Sequence, residues 1–220
     1  ANETEDQQYI LNYLPVNEQW NYTFGAVFKH YKEKSFDTWV LSRSYLNNVS
    51  YKYQDNIEVD SLKTFDYVST EAENKFRYQN TTRTDNGYKI NVGAGLEYAQ
   101  YTNSTFRKQF IGSTPFTIDY DASLNLWKWS VFGQLSKEFL NNKLALSFGV
   151  RSDANNYSSS MSNLLNQISP RFSASYKLIP DLSLNFNTGR YYQQPAYTTL
   201  GFTGGSGELI NKENGLKYIS

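Results

Sequence analysis

At 220 residues, with 17% aromatic side chains, one Met and no Cys, the chain has room for one sizeable β-domain or two small ones and offers no thiol for a disulfide or thiolate metal site. Lys and Arg number 21, as do Asp and Glu, so the formal net charge is zero; with no basic patch in view, nucleic acid is not expected as a partner. Mean hydropathy is −0.63 and no run reaches the ~18 apolar residues of a membrane-spanning helix, which leaves barrel strands open, since these need only about 9–11 residues with half of them facing polar contents.

Residues 1–19 read as a polar lead-in or loop, and the absence of a signal peptide at Ala1 is read as a signal removed or a chain cut from something longer. Residues 20–192 read as strands. Trp20, Tyr22, Phe24, Ala26 and Phe28 alternate with polar neighbours, as a strand with one apolar face requires. After a tight turn at Lys32–Ser35, Phe36–Tyr53 and Ala72–Thr84 are weaker strand patterns, separated by a long polar stretch, Gln54–Thr70. Beyond the turn Asp85-Asn86-Gly87, the set Tyr88, Ile90, Val92, Ala94, Leu96 and Tyr98 is apolar throughout, against Lys89, Asn91, Gly93, Gly95 and Glu97. A second long polar stretch, Thr102–Asp121, precedes Trp127, Trp129, Val131, Gly133 and Leu135; Asn141-Asn142 then leads to Leu144, Leu146, Phe148 and Val150. After Asp153–Ile168, the last two patterns are Phe172–Leu178 and Leu182–Thr188, joined at Pro180-Asp181. Residues 193–220 read as an external loop and truncated end.

Eight strands with short and long connections in strict alternation predict an all-β antiparallel up-and-down meander, part of a larger transmembrane β-barrel, with tight turns on the periplasmic side and long loops outside. A soluble antiparallel sandwich, such as a carbohydrate-binding or adhesin-like module, alternates in the same way and is the competing reading. Aromatic residues near strand ends (Trp20, Tyr88, Tyr98, Trp127, Trp129, Phe172, Tyr176) favour the barrel, whose two interfaces carry aromatic girdles.

The segments Ile168-Ser169-Pro170-Arg171-Phe172-Ser173-Ala174-Ser175-Tyr176, Ser183–Asn187 and Gly189-Arg190-Tyr191-Tyr192-Gln193-Gln194-Pro195 resemble later barrel strands of TonB-dependent outer-membrane receptors, as does Gly149–Asp153. Leu41–Asn48 and Leu216-Lys217-Tyr218 resemble the Bacteroidetes branch of that family. The resemblance implies a barrel of about 22 strands with a plugged lumen in the bacterial outer membrane. It also implies import of a scarce small ligand (an iron chelate, cobalamin or a glycan) driven by the TonB complex through a plug domain. No plug is recognisable in this sequence, so this fragment alone is expected not to transport. The remaining partners implied are outer-membrane lipid and, for the isolated fragment, copies of itself through unpaired edges and an uncovered apolar face.

No catalytic constellation stands out, so the chain is not read as an enzyme, and no cofactor is called for. His30 is the single histidine and is read as solvated. Glu58 with Asp60, and Glu71 with Glu73, could serve Ca²⁺ but are read as solvated charge. Ligand contact is expected on the loops and adjoining inner wall, at Arg151, Asp153, Tyr157, Arg190, Tyr191, Gln193 and Gln194, where aromatic and hydrogen-bonding groups meet.

Overall fold

The computed structural model describes residues 4, 5, 7, 10, 13–112, 114–204, 207–213 and 215–220, with the side chains at 110, 111 and 213 outside that description. In chain order the strands are β1 (Val16–Tyr31), β2 (Ser35–Tyr53), β3 (Lys63–Arg83), β4 (Tyr88–Ile111), β5 (Thr114–Phe139), β6 (Leu144–Asn155), β7 (Ser169–Ile179) and β8 (Leu182–Gly189). They form one eight-stranded sheet in sequence order, each strand antiparallel to the next. The expected meander is therefore present. The sheet is not closed: β1 and β8 are its two edges.

The tight turns fall where expected. Lys32 N–H donates to the Ser35 carbonyl at 2.8 Å. Gly87 takes φ +79 and donates to the Thr84 carbonyl at 3.0 Å, a conformation that costs glycine little. In the third turn Leu140, Asn141 and Asn142 all have positive φ (55, 53 and 64). Asn tolerates that region through its short polar side chain, whereas Leu140 does so against its Cβ.

The long polar stretches divide differently. Thr102–Asp121 is not a loop: β4 and β5 continue through it as a paired ladder until Ile111 faces Thr114. Beyond the membrane both faces of a hairpin can be polar, so the alternation that marks a strand disappears while the backbone pairing persists. Gln54–Thr70 shortens to 3₁₀ turns at Gln54–Asn56 and Asp60–Leu62 before β3 begins at Lys63. Asp153–Ile168 starts inside β6 and carries helical turns at Ser159–Ser162 and Leu164–Gln167.

Residues opposite one another in an antiparallel pair share a face, so the register fixes the sidedness of the sheet. One face carries Phe24, Phe28, Leu41, Phe76, Leu96, Trp129, Val131, Leu135, Phe148, Phe172 and Leu184. Val131 is 46%, Phe148 56% and Leu184 59% exposed. A β-sandwich would hold these in a dry core under a second sheet; here no described residue covers them, and the sandwich reading fails.

The apolar band also drifts across the strands. The row His30, Asp37, Asn80 is polar on β1–β3, yet the same hydrogen-bonded row continues as Val92, Gly133 and Val150 on β4–β6. Strands tilted against a horizontal hydrocarbon layer produce such a drift, because rows run perpendicular to the strands and not along the membrane plane.

Candidate functional site: the polar wall and its return segment

The opposite face of the sheet carries Lys75, Arg77, Gly95, Glu97, Lys128, Ser130, Arg151, Asp153 and Arg171, placed there by the same period-2 alternation. Three of these side chains, with Glu73, neutralise one another in part. Lys75 Nζ lies 2.5 Å from Glu73 Oε2 and 3.5 Å from Glu97 Oε2, while Lys128 Nζ lies 2.5 Å from Glu97 Oε1 and 3.4 Å from Glu73 Oε1. Arg151 holds Asp153 through a two-point fork at 2.5 and 2.8 Å.

Residues 193–204, 207–213 and 215–220 return across the end of this face remote from the tight turns. A backbone bridge joins Gln193 to Ile219, and a second joins Thr203 to Leu209. Tyr197 O–H donates to Glu73 Oε1 at 2.5 Å and accepts from Lys128 Nζ, whose ammonium also sits 4.7 Å from the ring centre. Burial first, and the Glu73 carboxylate second, push the Tyr197 phenol far above its ordinary range. Leu200, fully buried, packs with Tyr157, Met161, Ala99, Tyr101, Leu124 and Leu126, and Tyr197, Leu209, Leu216 and Tyr218 close that cluster. Buried Asn155 ties the return to β6: its Nδ2 donates to Tyr218 Oη at 3.1 Å and to Gln194 Oε1 at 3.3 Å, and its Oδ1 accepts from the Tyr157 amide at 2.9 Å. Burial pushes the Tyr218 phenol up to about 12.

Between wall and return segment lies an open cavity of about 510 Å³. Its lining includes Arg77, Gly95, Glu97, Lys128, Ser130, Arg151, Asp153, Arg171, Tyr192, Gln194 and Tyr218. Lining cations (Lys75, Arg77, Lys128, Arg151, Arg171) number five against the two carboxylates Glu97 and Asp153. The cavity therefore offers guanidinium forks and phenols to a ligand rich in oxygen acceptors.

The residues expected from sequence to contact ligand are distributed unevenly. Arg151, Asp153 and Gln194 line the cavity. Tyr157 is 2% exposed and donates to the Leu200 carbonyl at 2.9 Å, so it anchors the return segment. Tyr191 is exposed and stacks against the Arg171 guanidinium (4.7 Å), Arg190 covers the Tyr192 ring (4.8 Å), and Gln193 is exposed and engaged through its backbone. Sequence reasoning missed Lys128, Glu97, Arg171, Tyr192, Tyr197 and Tyr218. Inward parity on β4, β5 and β7 marks the first three as wall residues, but their meeting depends on register, and nothing periodic announces the tyrosines. Glu73, weighed as a Ca²⁺ ligand, is engaged by Lys75, Lys128 and Tyr197, and no group of three or more metal-ligating side chains occurs among the described residues.

No helix among the described residues is long and apolar enough to cross a membrane, a statement without bearing on strands. No curated protein matches the chain. The family model described as TonB dependent receptor-like, beta-barrel, matches residues 1–218. An open meander with one uncovered apolar face and one charged, ligand-sized wall agrees with that match, and the chain belongs to the TonB-dependent receptor-like β-barrel family.

Proposed function

We propose that this chain forms part of the ligand-receiving wall of an outer-membrane receptor, taking up a scarce ligand at the outer end of the barrel lumen. Iron chelates, cobalamin and glycans are the classes to compare, and the cation surplus of the cavity favours a chelate presenting anionic oxygens. The observation carrying this reading is the cavity itself: Arg151, Arg171, Lys128, Tyr192 and Tyr218 converge on one open space on the charged face, the face a barrel turns toward its lumen. In this reading residues 20–192 are barrel and residues 193–220 an external loop folded inward. Coupling to the TonB complex belongs to a plug domain seated against the charged face. These strands alone, as an open sheet, enclose no lumen and would not transport.

The test uses the purified full receptor and measures equilibrium binding of a ferric chelate panel, cobalamin and oligosaccharides. Arg151→Gln with Arg171→Gln should weaken chelate binding at least tenfold, since charged hydrogen bonds contribute about 1.5–3 kcal/mol each. Heat-modifiable gel migration, which reports a folded barrel, should not change. An unchanged affinity for the ligand that binds wild type would refute the assignment of this cavity.

A further inference from the structure

The apolar face carries an arginine. By register Arg43 shares a row with Phe24, Asn74, Tyr98 and Trp127, and in the four rows from Trp20 to Ala26, across β1–β5, it is the one charged side chain on that face. Among the described residues no carboxylate lies within ion-pair distance of it. Arg43 Nη1 donates to Asn74 Oδ1 at 2.7 Å and Nε donates to Tyr22 Oη at 3.1 Å. A guanidinium has five N–H donors, so most of the fork is left for something else. Tyr22 lies one row further out, opposite Tyr45, with the two rings stacked at 5.4 Å, so the Arg43 side chain leans toward the outer aromatic girdle, as a cation anchored in a hydrocarbon layer must.

The outer edge of that layer can be placed from the sequence of faces. On β4 the outward residues pass from Leu96 and Tyr98 to Gln100 and Thr102, while the inward ones pass from Gly95 and Glu97 to Ala99 and Tyr101. On β5 the outward residues pass from Trp129 and Trp127 to Asn125 and Ser123, while Leu126 and Leu124 turn inward and are buried. Arg43 shares the row of Tyr98 and Trp127 and lies one row below Tyr22 and Tyr45, toward which its side chain extends. A lipid-facing cation costs most at the midplane and little near the interface, which favours a guanidinium drawn toward the girdle and partnered by an anion.

Directly beside Arg43 lies an apolar groove of about 690 Å³, lined by Phe24, Ala26, Leu41, Phe76, Leu96 and Trp127. Cation and groove together fit a molecule that is anionic at one end and hydrocarbon at the other. We propose that Arg43 and Asn74 bind the phosphate of a phosphate-bearing lipid of the surrounding outer membrane, whose acyl chain lies along this groove. The planar fork matches two phosphate oxygens, Asn74 fixes its orientation, and Tyr22 fills the remaining side. The inference rests on the outer-membrane placement of the barrel.

The test uses the full receptor in neutral detergent micelles. Native mass spectrometry reads the occupancy of added phosphatidylglycerol, diacylglycerol and inorganic phosphate on wild type, Arg43→Gln and Lys137→Gln, the last removing another cation of the same face. Wild type should retain phosphatidylglycerol at least tenfold more tightly than Arg43→Gln does, Lys137→Gln should match wild type, and neither diacylglycerol nor millimolar inorganic phosphate should displace the bound lipid. Equal retention by wild type and Arg43→Gln, loss in Lys137→Gln as large as in Arg43→Gln, or displacement by diacylglycerol or by inorganic phosphate would overturn the site. Heat-modifiable migration of each variant, read in parallel, reports the membrane barrel itself, so failure of the lipid site and failure of the membrane reading give different results.

Discussion

Phe148 and Asn187 stand at neighbouring levels on opposite faces of the sheet. Phe148 lies in the row Leu135, Phe148, Phe172, and Asn187 faces Ser173 in the adjoining row on the charged side. Phe148 is the fifth residue of β6 after the tight turn, near the middle of a span of about 9–11 residues. If its face meets hydrocarbon, Phe148→Lys should destabilise the receptor by about 2–4 kcal/mol. Because Phe148 is 56% exposed in the bare sheet, a protein dissolved in water would lose far less, as exposed substitutions away from special features stay within about 0.5 kcal/mol. Asn187→Lys introduces the same charge where the lumen supplies water, and its cost should stay within that small range. Urea unfolding of the full receptor reconstituted in phosphatidylcholine bilayers measures both. Equal destabilisation by the two substitutions, or a larger one for Asn187→Lys, would refute the assignment of faces.

Leu200→Ala should release the return segment at a local cost of about 2–5 kcal/mol, seen as faster proteolysis within residues 197–220 with barrel migration unchanged; protection equal to wild type would contradict the anchoring role. Leu140→Asn should stabilise by up to about 1 kcal/mol, because Asn adopts the left-handed region more readily than Leu, and a drop in the urea midpoint would count against it. Prepared alone, the chain should sediment as an oligomer in plain buffer and become monodisperse in detergent, since both sheet edges and the apolar face are uncovered; a monodisperse monomer in buffer would argue against a hydrocarbon-facing surface.

What could be read from the sequence was whatever period-2 alternation encodes directly. From Tyr88 to Tyr98 every second residue is apolar, so strand, face and lumen side follow without coordinates, and the glycine and asparagine turns fix the antiparallel order. Two kinds of information were out of reach. On β2 the string Leu41-Ser42-Arg43-Ser44-Tyr45 puts an arginine in phase with apolar residues, and only pairing with Phe24 and Asn74 shows that it shares their face. On the charged wall, Glu73 and Lys128 are 55 residues apart in sequence, and Tyr197 reaches Glu73 from 124 residues away. Such meetings depend on register and on the path of a return segment without periodicity. The place of Arg151 and Asp153 on the charged wall was legible because both occupy inward positions just ahead of a loop. Tyr157, two residues past the strand, is buried and bonded to the Leu200 carbonyl, a position that the alternation does not encode.

The alternation does not merely fade where the membrane ends; it inverts. A strand crossing hydrocarbon turns its apolar side outward, and the same strand rising into water has no reason to keep it there, while a loop folded over the lumen supplies an apolar surface on the inside. β4 and β5 both make this exchange, at Tyr98 to Ala99 and at Trp127 to Leu126. Measured from Tyr88 at the opposite end of β4, the outward apolar run ends at Tyr98, which at about 3.4 Å per residue and a 45° tilt spans roughly 24 Å of membrane normal. That agrees with the apolar belt of about 25 Å found on outer-membrane barrels. A soluble sheet with one dry face would keep that face apolar along its whole length, so the inversion on both neighbouring strands is the feature that hydrocarbon explains and a protein core does not.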